Sequence, residues 1–296
     1  MKSRIYLDHA ATTPVSAAAR EAVADALMLI GNPASVHAGG RAANALLEGA
    51  RDAVARFAGV AAEHVVFTSG GTEAIALAAR GAQLMGPERP RFLASAAEHS
   101  AVLQARDDTM LLPVTGDGLL DLDALAAALA AGPALVAVQA ANNETGVIQP
   151  LADVAALVRA AGGLLLVDAV QAAGKMPLPE ADFIALSAHK LGGPPGVGAL
   201  IVKDPDSLIA IQRGGGQERG HRGGTPNLPG IAGFAAAVAE PHDWIAVAAR
   251  RVALESRLKD GGARIHGEPA PRLPNISSIG LPGVAAATQV MMLDLE

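Results

Sequence analysis

The chain has 296 residues, 51% of them hydrophobic and 18% charged, with a formal net charge of -6; it can bury a substantial core and is neither a disordered chain nor a basic nucleic-acid binder. It contains no cysteine, which excludes disulfides, cysteine-held metal and a thiol nucleophile within these residues. Its first residues, "MKSRIYLDHAATTP", lack the apolar stretch of a signal peptide, and no apolar run reaches the roughly 18 residues of a membrane span, so the expectation is a cytoplasmic protein with no nucleic-acid or membrane partner and no metal.

Alanine-rich segments at 16–29 and 40–58 read as helices, the first opening on Ser16 as a cap. A strand is expected over 64–69 ("HVVFTS"), followed by a Ser-Gly-Gly turn and a helix over 72–81. Such a turn brings free N–H groups and the positive end of a helix to an anion, although it also fits an ordinary strand–turn–helix. "SGGTE" lacks both the Walker pattern and the spaced glycines of a dinucleotide fingerprint. The next strand, 91–95, leads into "SAAEHSAV", where His99 precedes a helix over 100–106. A histidine there fits a structural residue, or one that stacks on a planar cofactor and shuttles protons.

A helix over 121–131, a strand over 134–140 and a helix over 151–161 follow. The strand over 163–169 carries Asp168 at its apolar end. A carboxylate there is costly unless it meets a cation or hydrogen-bond donors, and a helix cap is the plainer alternative. The strand over 182–188 runs into "SAHKLGGPPG", which places Lys190, one of five lysines, between an apolar run and a glycine–proline loop. A lysine leaving an apolar strand end has a depressed pKa and can act as a Schiff-base nucleophile; a lone lysine also commonly snorkels to the surface. Ser187 and His189 add a hydroxyl and an imidazole beside it. A strand over 198–202, the glycine-rich loop 213–230, a helical stretch over 231–260 and an α/β unit left unfinished at "MMLDLE" complete the chain.

Strands alternating with helices predict an α/β fold with a mostly parallel sheet. The polar residues at its strand ends form a set: an anion cradle, an acid for a ring nitrogen, a lysine for an aldehyde and an imidazole for stacking. Pyridoxal 5'-phosphate (PLP) needs all four.

The sequence resembles the cysteine desulfurases of the class V aminotransferase group. The resemblance runs through "YLDHAATTP" (6–14), "GNPASVHAGGRAA" (31–43), "VVFTSGGTEA" (65–74), "AEHSAVL" (97–103), "NNETGVIQP" (142–150), "VDAVQAAGK" (167–175), "SAHKLGGPPGVGAL" (187–200) and "GGGQERGHRGGTPN" (214–227). It implies the fold-type I PLP-dependent transferase fold, with a seven-stranded type of sheet flanked by helices in a large domain over 14–245. A smaller α/β domain, incomplete here, would be built from 1–13 and 246–296. Residue by residue it assigns Lys190 to the Schiff base, Asp168 to the pyridine nitrogen and His99 to the ring face with a role in proton transfer. It places Asn143 and Gln171 near the ring's phenolic oxygen, and Gly71, Thr72, Ser187 and His189 on the phosphate. Thr225 matches a residue that reaches the phosphate of a neighbouring subunit, which implies a homodimer with shared active sites.

The implied reaction converts L-cysteine to L-alanine, with the sulfur passing as a protein persulfide to a scaffold protein for iron–sulfur clusters or to tRNA thiolation. The family's nucleophilic cysteine and its substrate-carboxylate arginine fall beyond the segment matching 285–296, so the expectation is that the 1–296 chain holds PLP without completing the persulfide step. The alternatives are a thiol-independent PLP lyase or epimerase of the same family and a non-catalytic desulfurase-like partner subunit.

Overall fold

In the computed structural model, residues 5–84 and 90–295 are described. Of the segments expected to form the smaller domain, 1–4 and 296 lie outside the described residues. The short apolar runs become strands β1 (Val65–Thr68), β2 (Arg91–Ser95), β3 (Met110–Leu112), β4 (Ala134–Gln139), β5 (Leu164–Asp168), β6 (Phe183–Ser187) and β7 (Gly198–Val202). They join in the order β1-β7-β6-β5-β4-β2-β3. Strands β3, β2, β4, β5 and β6 run parallel, while β7 is antiparallel to both β6 and β1. Strands β4, β6 and β7 are buried along their whole length, which is why their sequences are unbroken apolar runs rather than alternating ones.

The helices are α1 (Ala17–Leu27), α2 (Ala38–Ala58), α3 (Gly71–Gly81), α4 (Ser100–Leu103), α5 (Leu122–Leu129), α6 (Leu151–Ala160), α7 (Leu228–Val238), α8 (Trp244–Asp260) and α9 (Ala286–Leu295). Their apolar stripes cover the sheet. In α2, Ala43, Leu47, Ala50 and Val54 are buried, the three-to-four spacing of one helical face. They join one core with Leu125, Val154 and Phe234, and α3 closes a second core around Val66, Phe92 and Phe183. Burying a valine or leucine side chain such as Val54 or Leu125 fully is worth about 1.5–3 kcal/mol.

The structure departs from the sequence expectations in three places. The helical stretch expected over 231–260 is two helices, because Pro241 has no N–H to continue the ladder and Asp243 restarts it, accepting from the Ala246 N–H at 2.9 Å. The helix after His99 stops at Leu103. The edge strand β3 was not anticipated; it is short, and its first two residues are exposed.

Beyond α7, helix α8 packs with an antiparallel pair, β8 (Arg264–His266) and β9 (Ser278–Gly280). This unit is tied to the loop after β4 by Ile148 N–H donating to the Pro271 carbonyl and Leu273 N–H to the Gly146 carbonyl, both at 2.8 Å. The parallel strands β2, β4, β5 and β6 end at Ser95, Gln139, Asp168 and Ser187, and ligands of open α/β sheets bind beyond such carboxyl ends.

Candidate active site

A cavity of about 570 Å³ opens at these strand ends. It is lined by Gly71, Thr72, His99, Asn143, Asp168, Gln171, Ser187, His189 and Lys190, which brings together all the residues singled out in the sequence except one. Thr225 lies elsewhere, in a small separate recess with Ser69 and Arg222.

Each side chain is presented by a local device. Helix α3 begins at Gly71 directly after the β1 turn, and Gly71 and Thr72 at its N-terminus line the cavity. A Cβ on Gly71 would sit 2.7 Å from Val170 Cγ2; only glycine lets this turn close against the β5 loop. His99 is the N-cap of α4: its Nδ1 accepts from the Ala101 N–H at 3.1 Å. An accepting Nδ1 carries no proton, which leaves Nε2 as the N–H of the neutral ring. Asn142 shapes the turn that presents Asn143, its Oδ1 accepting from the N–H groups of Glu144 and Thr145, each at 2.9 Å. Asp168 ends the buried strand β5 and accepts from the Val170 N–H at 2.9 Å.

Lys190 sits in a 3-10 turn immediately after β6. Its Nζ donates to the Ala11 carbonyl at 2.7 Å and also to the Ala10 carbonyl. Burial pushes the amine's pKa below its ordinary value, against the pull of Asp8 and Asp168. Burial likewise raises Asp168, although the Val170 N–H, His99 and Lys190 all favour its charged form. His189 is lowered by burial and by Lys190 next to it.

Sequence reasoning missed several groups around this cavity. Asp8, Ala10 and Ala11 line it, from a motif quoted for resemblance alone. Glu98, next to His99, is buried; its Oε1 accepts from the Gln139 N–H at 2.6 Å while Oε2 has no partner. Burial and Asp168 raise its pKa well above its ordinary value. Lys175 donates to the Gln171 carbonyl at 2.8 Å, and burial together with Lys190 lowers it to about 8. An acid three positions after a strand and a lysine seven residues after Asp168 carry no signal of burial in the sequence. Among the described residues, no three His, Asp or Glu side chains come close enough to hold a metal ion.

The cavity fits PLP. Gln171 donates through Nε2 to the Ala10 carbonyl at 2.8 Å, yet its Oε1 is buried and has no partner, which leaves an acceptor for a ligand hydroxyl. The α3 N-terminus, a hydroxyl and an imidazole suit a phosphate, and an amine and a carboxylate suit the aldehyde and the ring nitrogen.

Residues 5–295 match the aminotransferase class-V family model. The chain is 42% identical to a cysteine desulfurase of Cereibacter sphaeroides over 98% of this chain and 80% of that one. It is 43% identical to the cysteine desulfurase IscS of an Anaeromyxobacter species, over 88% of this chain and 69% of the relative. Among solved structures, a NifS-like protein of Rickettsia africae superimposes with a TM-score of 0.90 at 30% identity, covering 99% of this chain and 86% of that one. With the fold, the cavity and these relatives in agreement, the chain belongs to the class-V aminotransferase family, on its PLP-dependent cysteine desulfurase branch.

Proposed function

We propose that the cavity residues divide the work as follows. Lys190 would hold PLP through its amine, Asp168 would face the ring nitrogen, and Gly71, Thr72, Ser187 and His189 would take the phosphate. Asn143 and Gln171 would meet the phenolic oxygen. His99 would lie over the ring, with Nε2 as the atom that exchanges a proton with substrate. The cofactor, when bound, supplies an aldehyde for the substrate amine and a ring that withdraws electrons from the substrate Cα.

The overall reaction turns L-cysteine and a thiol into L-alanine and a persulfide: the C–S bond breaks, an S–S bond forms on the attacking sulfur, and the substrate carbon gains a proton. Residues 1–296 contain no cysteine, so the accepting thiol comes from outside them. The reading extends to a homodimer in which Thr225 serves the other subunit's phosphate, to a sulfur-acceptor scaffold for iron–sulfur clusters, and to a cytoplasmic setting; no helix among the described residues is long and apolar enough to cross a membrane. It also extends to a division into a large PLP domain over 14–245 and a smaller one.

One observation carries the assignment: His99, Asp168 and Lys190, far apart in sequence, line a single cavity. The test is to load the protein with PLP, reduce with borohydride and map the adduct by peptide mass. The adduct is expected on Lys190 and is expected to fall to background in Lys190→Ala, together with L-alanine formation from L-cysteine in the presence of an added thiol. An adduct on another lysine would overturn the assignment. Turnover of amino acids other than cysteine would point to the thiol-independent lyase or epimerase chemistry instead.

A further inference from the structure

The segment Asp8 to Thr13 forms a strap beside the cavity, with Asp8, Ala10 and Ala11 in its lining. Two backbone carbonyls of this strap, those of Ala10 and Ala11, accept from Lys190 Nζ. The Ala10 carbonyl also accepts from Gln171 Nε2 at 2.8 Å. The strap is pinned to the lysine's own turn. Thr13 N–H and Thr13 Oγ1 both donate to the His189 carbonyl, at 2.9 and 2.7 Å, and Thr13 Oγ1 accepts from the Gly192 N–H at 2.9 Å. Thr12 Oγ1 lies 3.1 Å from His189 Nδ1. Strap and lysine turn therefore form one hydrogen-bonded unit.

A neutral amine has two N–H groups, and two carbonyls satisfy both while leaving its lone pair free. An ammonium has a third N–H and a charge, which makes a nearby carboxylate decisive. Asp8 lines the same cavity, and it and Asp168 are the two carboxylates that favour the charged amine. Asp168 is the one assigned to the cofactor ring, which leaves Asp8 for the lysine.

We propose that residues 8–13 are a dock for the amine of Lys190 whenever that amine is free rather than joined to an aldehyde carbon, with the Ala10 and Ala11 carbonyls as acceptors and Asp8 as a positioning residue that governs its protonation. This deepens the PLP reading, since the docked amine is the group that must meet the aldehyde. The charged and titratable groups facing Lys190 are Asp8 from the strap, His99 before α4, Glu144 after β4, Asp168 at the end of β5, Lys175 in the following turn and His189 beside it. Lys190 disfavours the charged forms of Lys175 and His189, and the two aspartates favour the ammonium of Lys190.

Asp8→Asn is a clean test. Asp8 Oδ1 accepts from the Ala11 N–H at 3.3 Å, and asparagine keeps an acceptor there, so the turn is retained and only the charge is lost. In the full chain freed of PLP, trace labelling with acetic anhydride is followed at the Lys190 peptide from pH 6 to 10. Removing an anion lowers the amine's pKa, so a larger fraction is neutral and nucleophilic below that pKa. Lys190 in Asp8→Asn is expected to label roughly threefold faster near neutral pH, the modest size reflecting an exposed carboxylate. Lys203 and Lys259 should label at unchanged rates. Asp8→Glu should restore the original profile, and the rate of PLP uptake, read by absorbance, should follow the labelling rate. An unchanged Lys190 profile in Asp8→Asn, a shift in the opposite direction, or an equal shift at Lys203 would overturn the dock. That failure is separate from failure of the PLP assignment, which the borohydride adduct map reports independently.

Discussion

Around the cavity, burial drives ionisable groups toward their neutral forms: the pKa values of Lys190, Lys175 and His189 are lowered, and those of Asp168 and Glu98 are raised. In the glycine-rich loop and the unit beyond α7 the displacement is opposite. Burial alone would neutralise Arg51 and Glu255, but Glu218 and Glu48 together outweigh it for Arg51, and Arg272, Ser277 and Arg251 outweigh it for Glu255; Glu73 and Arg222 hold each other charged in the same way. The difference lies in partners rather than depth. Arg51 and Glu218 are both buried and meet in a fork, Nη1 to Oε2 at 2.6 Å and Nη2 to Oε1 at 3.0 Å, whereas Asp168 is as buried and, among the described residues, its carboxylate accepts from one backbone N–H. Paired charges hold structure, and under-partnered ones are poised for a ligand or a proton.

The largest test of this contrast is Glu218→Ala. Glu218 Oε2 also accepts from the Phe67 N–H on β1 at 2.8 Å, and Glu218 itself holds a φ of 47°, a conformation that costs a non-glycine residue energy unless its surroundings enforce it. Truncation removes the buried fork and leaves Arg51 with the half-exposed Glu48 carboxylate, at 3.2 Å, as its remaining anionic partner, and is expected to cost about 3 kcal/mol, read as a fall in denaturant midpoint. A loss below about 1 kcal/mol would mean the pair is not the loop's anchor.

Next is Glu255, whose pKa is lowered to about 2 by Arg272, Ser277 and Arg251 acting against burial. A depressed carboxylate stabilises the fold above its unfolded pKa, near 4.5, and that stability is lost as pH falls from there toward 2. The loss is about 3 kcal/mol by linkage. Glu255→Gln should remove a similar amount at pH 7 and flatten the acid limb between pH 5 and 2 in unfolding curves.

The smallest effect is expected from the same substitution at the cavity. Burial and Asp168 push the Glu98 carboxyl toward its neutral form, and Glu98→Gln, which puts an uncharged planar group of the same shape in its place, should change stability at pH 7 by less than about 1 kcal/mol. A loss matching that of Glu255→Gln would break the contrast, because it would show Glu98 to be ionised in the fold.

Much of this was legible in the sequence. Strands buried on both faces are unbroken apolar runs, and a parallel sheet places the residues that follow them at one edge; hence Asp168, Lys190 and His99 could be read as one site from strand ends alone. The turn before α3 was legible as a turn, but its free N–H groups gained a use only beside the other strand ends, because a strand–glycine–helix transition alone also fits an ordinary connection. The antiparallel pairing of β7 left no such mark: β6 and β7 are joined through "KLGGPPGVG", and composition does not state which way a returning strand runs. Nor did the break at Pro241 show through the apolar pattern on either side of it.

What the sequence determined by itself was the order of elements and the residue types delivered to the carboxyl end of the sheet, since both follow from local periodicity and turn chemistry. Only the tertiary structure decided how each charge is balanced. The strap's carbonyls meet Lys190 from 180 positions away, Glu218 finds Arg51 across 167, and Glu98 is left with an unpartnered oxygen. A side chain's protonation depends on its neighbours in space and on how much water they exclude, and neither is written in the residues beside it in the chain.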